Sequence, residues 1–594
     1  MRFVRANVVA VSMSVLVSTA VIGFSAEVYL SLERKMITAS RYEQWINKLP
    51  VSASVITKED IKMSNAKQTT DILGQLPGIF IRKSGDFGRA DIDIRGIGGN
   101  GRQLGIFIDG RPDKMGVFGC SVTHTLPMNN VERIEVIRGP ESVLYGSDAF
   151  GGVVNIITKR AAKKLEGNFL ASLGTFNTQN YLFQQGSKID KVDYFISVNK
   201  RSTAGHKENS SFKATDYSGQ FGYALSGYSD ISLSSKYFTG IKNEPFPSAA
   251  GTWNDYGRGS VDLTYNRIAG NFNNSLKIYR SFGEHKFSNG FHSKDYTDGL
   301  MAHSKTKLLE NNELSVGLDY RYQFGDVLNT APAFMIGHYH KYEYGVYIND
   351  EHTFLEKLTL NGGARYNNDE FAKDIVNPKL GVVYNTLNGT ILRGIWSRGF
   401  RAPQINDLFL WGGNKDLKPE KVTNTEIGLR QKFGESIDLD LAGFIMKGAD
   451  LIQSRAGKNV NIGDFEFKGI ETMLIAKISD SFNTQVNYTY FDPGTQTTGR
   501  PGNKAGASLK YSKKKVNAII TGEYAGRYYS GDNSTGKIDD YLLFNTKVDY
   551  KLLNNLSVFG AIDNLTDKEY QIYNGGLYTM PKRTLTLGLN YIFG

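Results

Sequence analysis

Cysteine is almost missing from this 594-residue chain. Cys120 stands alone, so no intrachain disulfide can staple the fold, and the solitary thiol is either incidental or a ligand. Long apolar runs are missing as well. Beyond the amino terminus no stretch reaches the ~18 apolar residues that a spanning helix needs, which excludes a helical membrane protein. Acidic residues are in deficit, 59 against 70 Lys and Arg, for a net charge of +11. No basic helix and no nucleic-acid motif accompanies that surplus, so it suits anionic lipid head groups or an anionic ligand, not nucleic acid. Gly96, Gly98, Gly99 and Gly101 make a glycine-rich turn, but the strand-to-helix context and the Lys-Ser/Thr pair of a phosphate loop are absent. No Ser-His-Asp arrangement or acidic hydrolase cluster stands out. Nothing here points to an enzyme.

What the chain has in quantity is glycine (64), tyrosine (33) and phenylalanine (34), at a mean hydropathy of -0.33. A polar average with many small and aromatic residues suits a membrane barrel, apolar in a thin outer band and polar within. At this length two domains or one very large barrel is the expectation. Residues 1–26 read as a secretory signal peptide. Arg2 and Arg5 start it, residues 8–24 form its apolar core, and Ser25-Ala26 follow.

The stretch 131–160 reads VERIEVIRGPESVLYGSDAFGGVVNIITKR. Two β-type runs, 134–137 and 153–158, flank a centre turned by Gly139, Pro140, Gly146, Gly151 and Gly152, which predicts a small buried sheet. Upstream, 51–78 reads as strand, helix and stop. Thr57 caps with Asp60 three residues on, Ile72, Leu73 and Leu76 share a face, and Pro77-Gly78 ends the helix. Further strands are expected over 79–81, 91–95 and 106–110. From about Leu165 onward the texture is dyad alternation. Leu314, Val316, Leu318 and Tyr320 alternate with Ser315, Gly317, Asp319 and Arg321; Ile437, Leu439 and Leu441 with Asp438, Asp440 and Ala442; Leu585, Leu587, Leu589 and Tyr591 with Thr586, Gly588 and Asn590. Such runs put one face toward lipid and the other toward a polar lumen.

The pieces LGQLPGI, DIRG, FIDGR and VERIEVIRGP occur in family order, and 51–160 closely resembles the plug domain of TonB-dependent outer-membrane receptors. WSRGFRAPQINDLF (396–409), NKDLKPEKVTNTEIGLR (414–430), FKGIE (467–471) and IDNLTDKEYQ (562–571) resemble barrel signatures of the same family. The resemblance implies an all-β membrane protein: a 22-stranded antiparallel transmembrane β-barrel closed by an N-terminal α+β plug domain. It implies a place in the bacterial outer membrane, against lipid and lipopolysaccharide. The division is then signal peptide 1–26, periplasmic energy-coupling segment 27–42, plug 43–162 and barrel 163–594, with no further domain between leader and coupling segment. Met36, Ile37, Thr38, Ala39 and Ser40 resemble the TonB box, an extended strand that a periplasmic energy transducer captures by strand addition.

The resemblance also implies that Arg95 and Arg138 lie against Glu420 and Glu471, paired charges that hold a detachable plug. The implied function is TonB-dependent active transport of a ferric siderophore or similar metal chelate, with no covalent cofactor. Residues 147–158 are also much like cobalamin receptors. Copper, zinc or haem uptake and, in another class, a passive porin are the remaining alternatives. No histidine lies between the FRAP residues 400–403 and the NKDL residues 414–417, which argues against haem; the plug and coupling motifs argue against a porin.

Residue chemistry adds a separate candidate, Cys120-x3-His124-x3-Met128 with Met115 just before. Thiolate, imidazole and thioether suit copper, zinc or the metal of a chelate. A helix would align Cys120, His124 and Met128 on one face, but Gly119 and Pro127 favour a loop. The remaining histidines are His206, His285, His292, His303, His338, His340 and His352. His338 and His340 share a strand face and are expected to line the lumen.

Overall fold

The computed structural model describes residues 34–594 apart from 89, 99–100, 246–251, 331, 387–388 and 573–578. The dyad alternation closes on itself. Twenty-two antiparallel strands, from Glu166–Gly174 to Thr584–Phe593, each pair with the next, and the last returns to the first with Phe593 opposite Gly167. On strand Asn312–Thr330, Val316, Leu318 and Tyr320 face outward, whereas Arg321 and Gln323 are buried in the lumen. Asp438, Asp440 and Ala442 point inward on Ile437–Arg455 in the same way. Among the described residues no helix is long and apolar enough to cross a membrane. The strands do so.

The two ends of the barrel differ. One end carries turns of two to five residues; the other carries long connections at 402–419, 527–540 and 564–583. Short turns mark the periplasmic end of such a barrel and longer loops its outer end.

A five-stranded sheet fills the lumen in the order Ser52–Thr57, Val131–Arg138, Gly152–Thr158, Gly105–Ile108, Arg111–Pro112. Only Gly105–Ile108 and Gly152–Thr158 run parallel within it. A second pair, Ile79–Lys83 with Ala90–Ile94, packs beside it. Their shared core holds Ile72, Leu73, Ile92, Ile134, Val136 and Val154. The single helix expected before Pro77 is two, Lys58–Met63 and Thr69–Leu73. Thr57 and Asp60 do form the capping box. Ser64 then ends the first helix by donating its hydroxyl to the Ile61 carbonyl at 2.8 Å. A second box, Gln68 with Asp71, starts the next. Side chains that bond to nearby backbone compete with helix in this way.

The expected boundary at 42/43 falls inside one hairpin, because Lys35–Met36 pairs antiparallel with Gln44–Trp45. Residues 34–48 therefore fold as part of the plug. The signal-peptide reading of 1–26, and residues 27–33, lie outside the described residues.

Candidate functional site

Arg95 follows directly on strand Ala90–Ile94 and adopts a left-handed φ of 52°. Such a conformation costs a non-glycine residue on the order of 1 kcal/mol or more, and persists where its surroundings over-determine it. Here they do. Arg95 is fully buried and forms a fork with Glu471, Nε and Nη2 each donating at 2.9 Å, while Nη1 donates to Glu426 at 2.7 Å. Its guanidinium lies 4.1 Å from the Phe444 ring. Arg138 Nε donates to the same Glu471 at 3.0 Å and its Nη1 to Ser54 at 2.8 Å. Gly78 makes the approach possible: at φ 68°, a Cβ there would sit 2.0 Å from Glu471 Oε1. The network continues along the wall. Glu426 accepts from Ser52, Arg393 and Arg430 both reach Asp440, and Arg430 also donates to the carbonyls of Ile46, Leu49 and Val51. Four guanidiniums thus face three carboxylates, and backbone carbonyls absorb the surplus charge.

Glu420 does not join this cluster. Its Oε2 accepts from Arg401 Nε at 2.6 Å and from Gln103 at 3.1 Å, nearer the long-loop end. Glu420 and Glu426 share the inward parity of strand Glu420–Phe433, but six residues separate them by roughly 20 Å of strand. Glu426, with Arg393, Asp440 and Arg430, was not singled out from the sequence. Parity alone could have found their face, though not their depth.

The plug separates two chambers. At the long-loop end, Arg102, Gln103, Arg401, Asp407, Trp411 and Glu420 line a chamber of about 390 Å³. Arg401 there is held by Glu420 and by Asp407 at 2.8 Å. Arg102 is partly exposed, 3.5 Å from Asp407, and Trp411 is 63% exposed. At the short-turn end a cleft of about 660 Å³ is lined by Ile37, Arg41, Tyr42, Tyr145, Lys277 and His303. Between them Asp148 bonds to Lys114 and to Arg321 of the wall. Burial works to raise the Asp148 carboxyl, but Arg321 and then Lys114 outweigh it and hold it at about 2.

In the segment Met36, Ile37, Thr38, Ala39, Ser40 only Met36 is in a strand; residues 37–40 turn, and the segment is stowed. Met36 and Thr38 are fully buried. The amides of Ile37 and Thr38 donate to Glu135 Oε2 at 2.9 and 2.8 Å, and the Thr38 hydroxyl does so at 2.5 Å. Tyr145 donates to the Thr38 carbonyl at 2.9 Å. Tyr42 and Gln44 fasten the hairpin to Asn273 and Glu351 near the short turns. A sequence that is strand-forming and polar enough to be accessible is stowed here because one buried carboxylate gathers its donors.

The Cys120, His124, Met128 spacing does not form one ligand set. Residues 123–125 are a short 3-10 turn, and Met128 packs in the plug core, where the Thr69 hydroxyl lies 3.9 Å from its sulfur. His124 and Met115 instead lie near Tyr256, Phe212 and Phe238. Among the described residues no group of three His, Cys, Asp or Glu side chains is placed to hold a metal. Burial, then Lys242 and Arg201, hold the His124 imidazole well below its ordinary value. His338 and His340 do not line the lumen: Lys341 and Glu343 take the inward parity, which leaves both histidines exposed on the outer face.

Residues 167–565 match the family model described as TonB dependent receptor-like, beta-barrel, and residues 45–153 match the TonB-dependent Receptor Plug Domain. The chain belongs to the TonB-dependent receptors. As such it is an outer-membrane protein, its long-loop end extracellular and its short-turn end periplasmic. The receptor is 26% identical to an iron-regulated outer membrane virulence protein of Vibrio cholerae, over 94% of this chain and 95% of that one. It is 25% identical to the vitamin B12 transporter BtuB of Photobacterium profundum, over 90% and 92%. The siderophore receptor PiuA of Acinetobacter baumannii superposes with a TM-score of 0.80 at 18% identity, over 95% of this chain and 99% of that one.

Proposed function

We propose that this receptor imports a ferric siderophore or a metal chelate of similar size, driven by a TonB-type transducer that captures residues 36–40. The observation that carries this reading is a lumen closed between two chambers by a plug whose adhesion is ionic. Breaking one buried pair costs about 3–5 kcal/mol, so the closure is firm at rest and opens only under an applied force. A passive pore needs no such closure. The chamber offers a guanidinium and an exposed indole, Arg102 and Trp411, to an anionic chelate with flat faces. The iron-regulated relative supports iron as the cargo.

The test is uptake of radio-iron chelates by iron-starved cells that depend on this receptor. Saturable uptake that stops when the proton gradient is dissipated is expected. Uptake indifferent to the gradient would make the protein a porin. Cobalamin is the second reading, favoured by the likeness to the vitamin B12 transporter; gradient-dependent uptake of cyanocobalamin without iron uptake would put it first.

A further inference from the structure

Two imidazoles pack on one tyrosine ring at the outer end of the plug with ring nitrogens unused. His124, on the turn Thr123–Thr125, and His285, near the outer end of wall strand Phe272–Phe287, are each 4% exposed. Both pack on one ring. Tyr256 lies 4.7 Å from His124, edge to face, and 4.0 Å from His285, stacked. Buried polar atoms are normally satisfied, yet His124 Nε2 and both ring nitrogens of His285 have no hydrogen-bond partner. One such orphan is an accident of packing. Orphans from the plug and from the wall, both packed on the same ring, mark a place where a lone-pair acceptor would satisfy both.

Sulfur lies in the same cluster, with Met115 buried beside Tyr256 and Cys120 at its edge. Imidazole with thioether or thiolate is the donor set of a soft or borderline cation such as Cu(I) or Zn(II), whereas Fe(III) and Mg²⁺ prefer oxygen. Lys242 pairs with Glu244 at 2.5 Å and Arg201 with Asp216 at 2.9 Å, which offsets part of the positive field at His124. The Phe118 ring connects the cluster to the extracellular chamber, 6.2 Å from His285 and stacked on Trp411 at 5.9 Å.

We propose that His124 and His285 form a plug-to-wall site for one soft or borderline metal ion, with Met115 as sulfur donor. The site goes beyond chelate import, resting on that reading only for which end of the plug faces outward. An ion bound there ties the plug apex to the barrel wall.

The test is anaerobic Cu(I) titration of the purified full-length receptor against bicinchoninate. Wild type is expected to bind one equivalent. His124→Phe and His285→Phe are each expected to weaken binding by at least about tenfold, the loss common even for groups one shell from a metal. Affinities equal to wild type in both variants overturn the site. Met128→Leu is expected to bind as wild type does, and a loss there would move the ion into the plug core and equally overturn it. The X-ray absorption spectrum of Cu(I)-loaded wild type needs no variant to fold: imidazole scatterers are expected, and a first shell without them refutes the assignment. Failure of the import reading shows itself separately, as gradient-independent iron uptake, and leaves Cu(I) binding unmoved.

Discussion

At the scale of single residues, the receptor concentrates its specificity in Arg95. Its side chain satisfies Glu471 and Glu426 together, whereas Arg138 shares only Glu471. Removing one member of a buried pair costs about 3–5 kcal/mol, because the partner stays charged in a dry place. Arg95→Ala is therefore expected to loosen the plug more than Arg138→Ala, which leaves Glu471 its fork. Leakage of a large antibiotic through the outer membrane and protease sensitivity of the plug would both rank the variants in that order; an equal or reversed ranking would remove Arg95 from the centre. Gly78→Ala is expected to act like Arg95→Ala, since its methyl takes the position of the Glu471 carboxylate.

Asp148 contributes to acid sensitivity, and the sign of its contribution follows from the depression of its carboxyl to about 2. The ionised form is favoured in the fold. Its contribution, on the order of 2 kcal/mol, is complete above the ordinary carboxylate value near 3.9 and is lost as the pH falls toward 2. Thermal stability is therefore expected to owe nothing to this group's titration between about pH 7 and pH 5. Asp148→Asn is expected to lower stability across that range and to flatten the loss below about pH 4. A wild-type transition near pH 6 that Asp148→Asn abolishes would contradict the assignment.

Among the elements, the stowed hairpin 34–48 carries the segment proposed here for capture by the transducer. Glu135 takes three of its donors on one oxygen, and hydrogen bonds to a charged group are worth about 1.5–3 kcal/mol each. Glu135→Ala is expected to free residues 37 and 38. Affinity for the isolated periplasmic domain of the transducer should rise about tenfold for every 1.4 kcal/mol of docking lost. Calorimetry with that domain, beside limited proteolysis of the hairpin, measures it. Unchanged affinity and unchanged cleavage would show that Glu135 does not hold the segment shut.

What could be read from the sequence divides along physical lines. The strands were legible, because a period of two repeated over ten residues leaves few alternatives. The plug motifs were legible through family likeness, and the Thr57 and Asp60 cap through local spacing. Depth along a strand was not: Glu420 and Glu426 differ in height, which no local pattern records. The hairpin was not legible either, because the carboxylate that gathers Ile37 and Thr38 stands far away in the chain at Glu135. Nor was the placement of His285, whose partner ring Tyr256 belongs to the neighbouring strand.

For the whole molecule, the closed barrel makes lipid the solvent for one face of every strand. Leu318, facing outward on Asn312–Thr330, should tolerate Lys poorly, with a loss of about 2–4 kcal/mol if it lies near the bilayer midplane and less toward the rim. Reversible unfolding in detergent and in thin bilayers would report it. No penalty in the bilayer would mean that this face is not wetted by acyl chains.

The clamp of Arg430 on the carbonyls of Ile46, Leu49 and Val51 sets an order of mechanical failure. Tension applied at residue 36 first unzips a two-pair ladder, bond by bond. It is then arrested at a guanidinium rooted in the barrel, one residue short of the edge strand Ser52–Thr57. A single molecule stretched from that end should therefore yield twice, with Arg430→Ala erasing the second event. The clamp works as a fuse, keeping idle tugs from ever reaching the stopper.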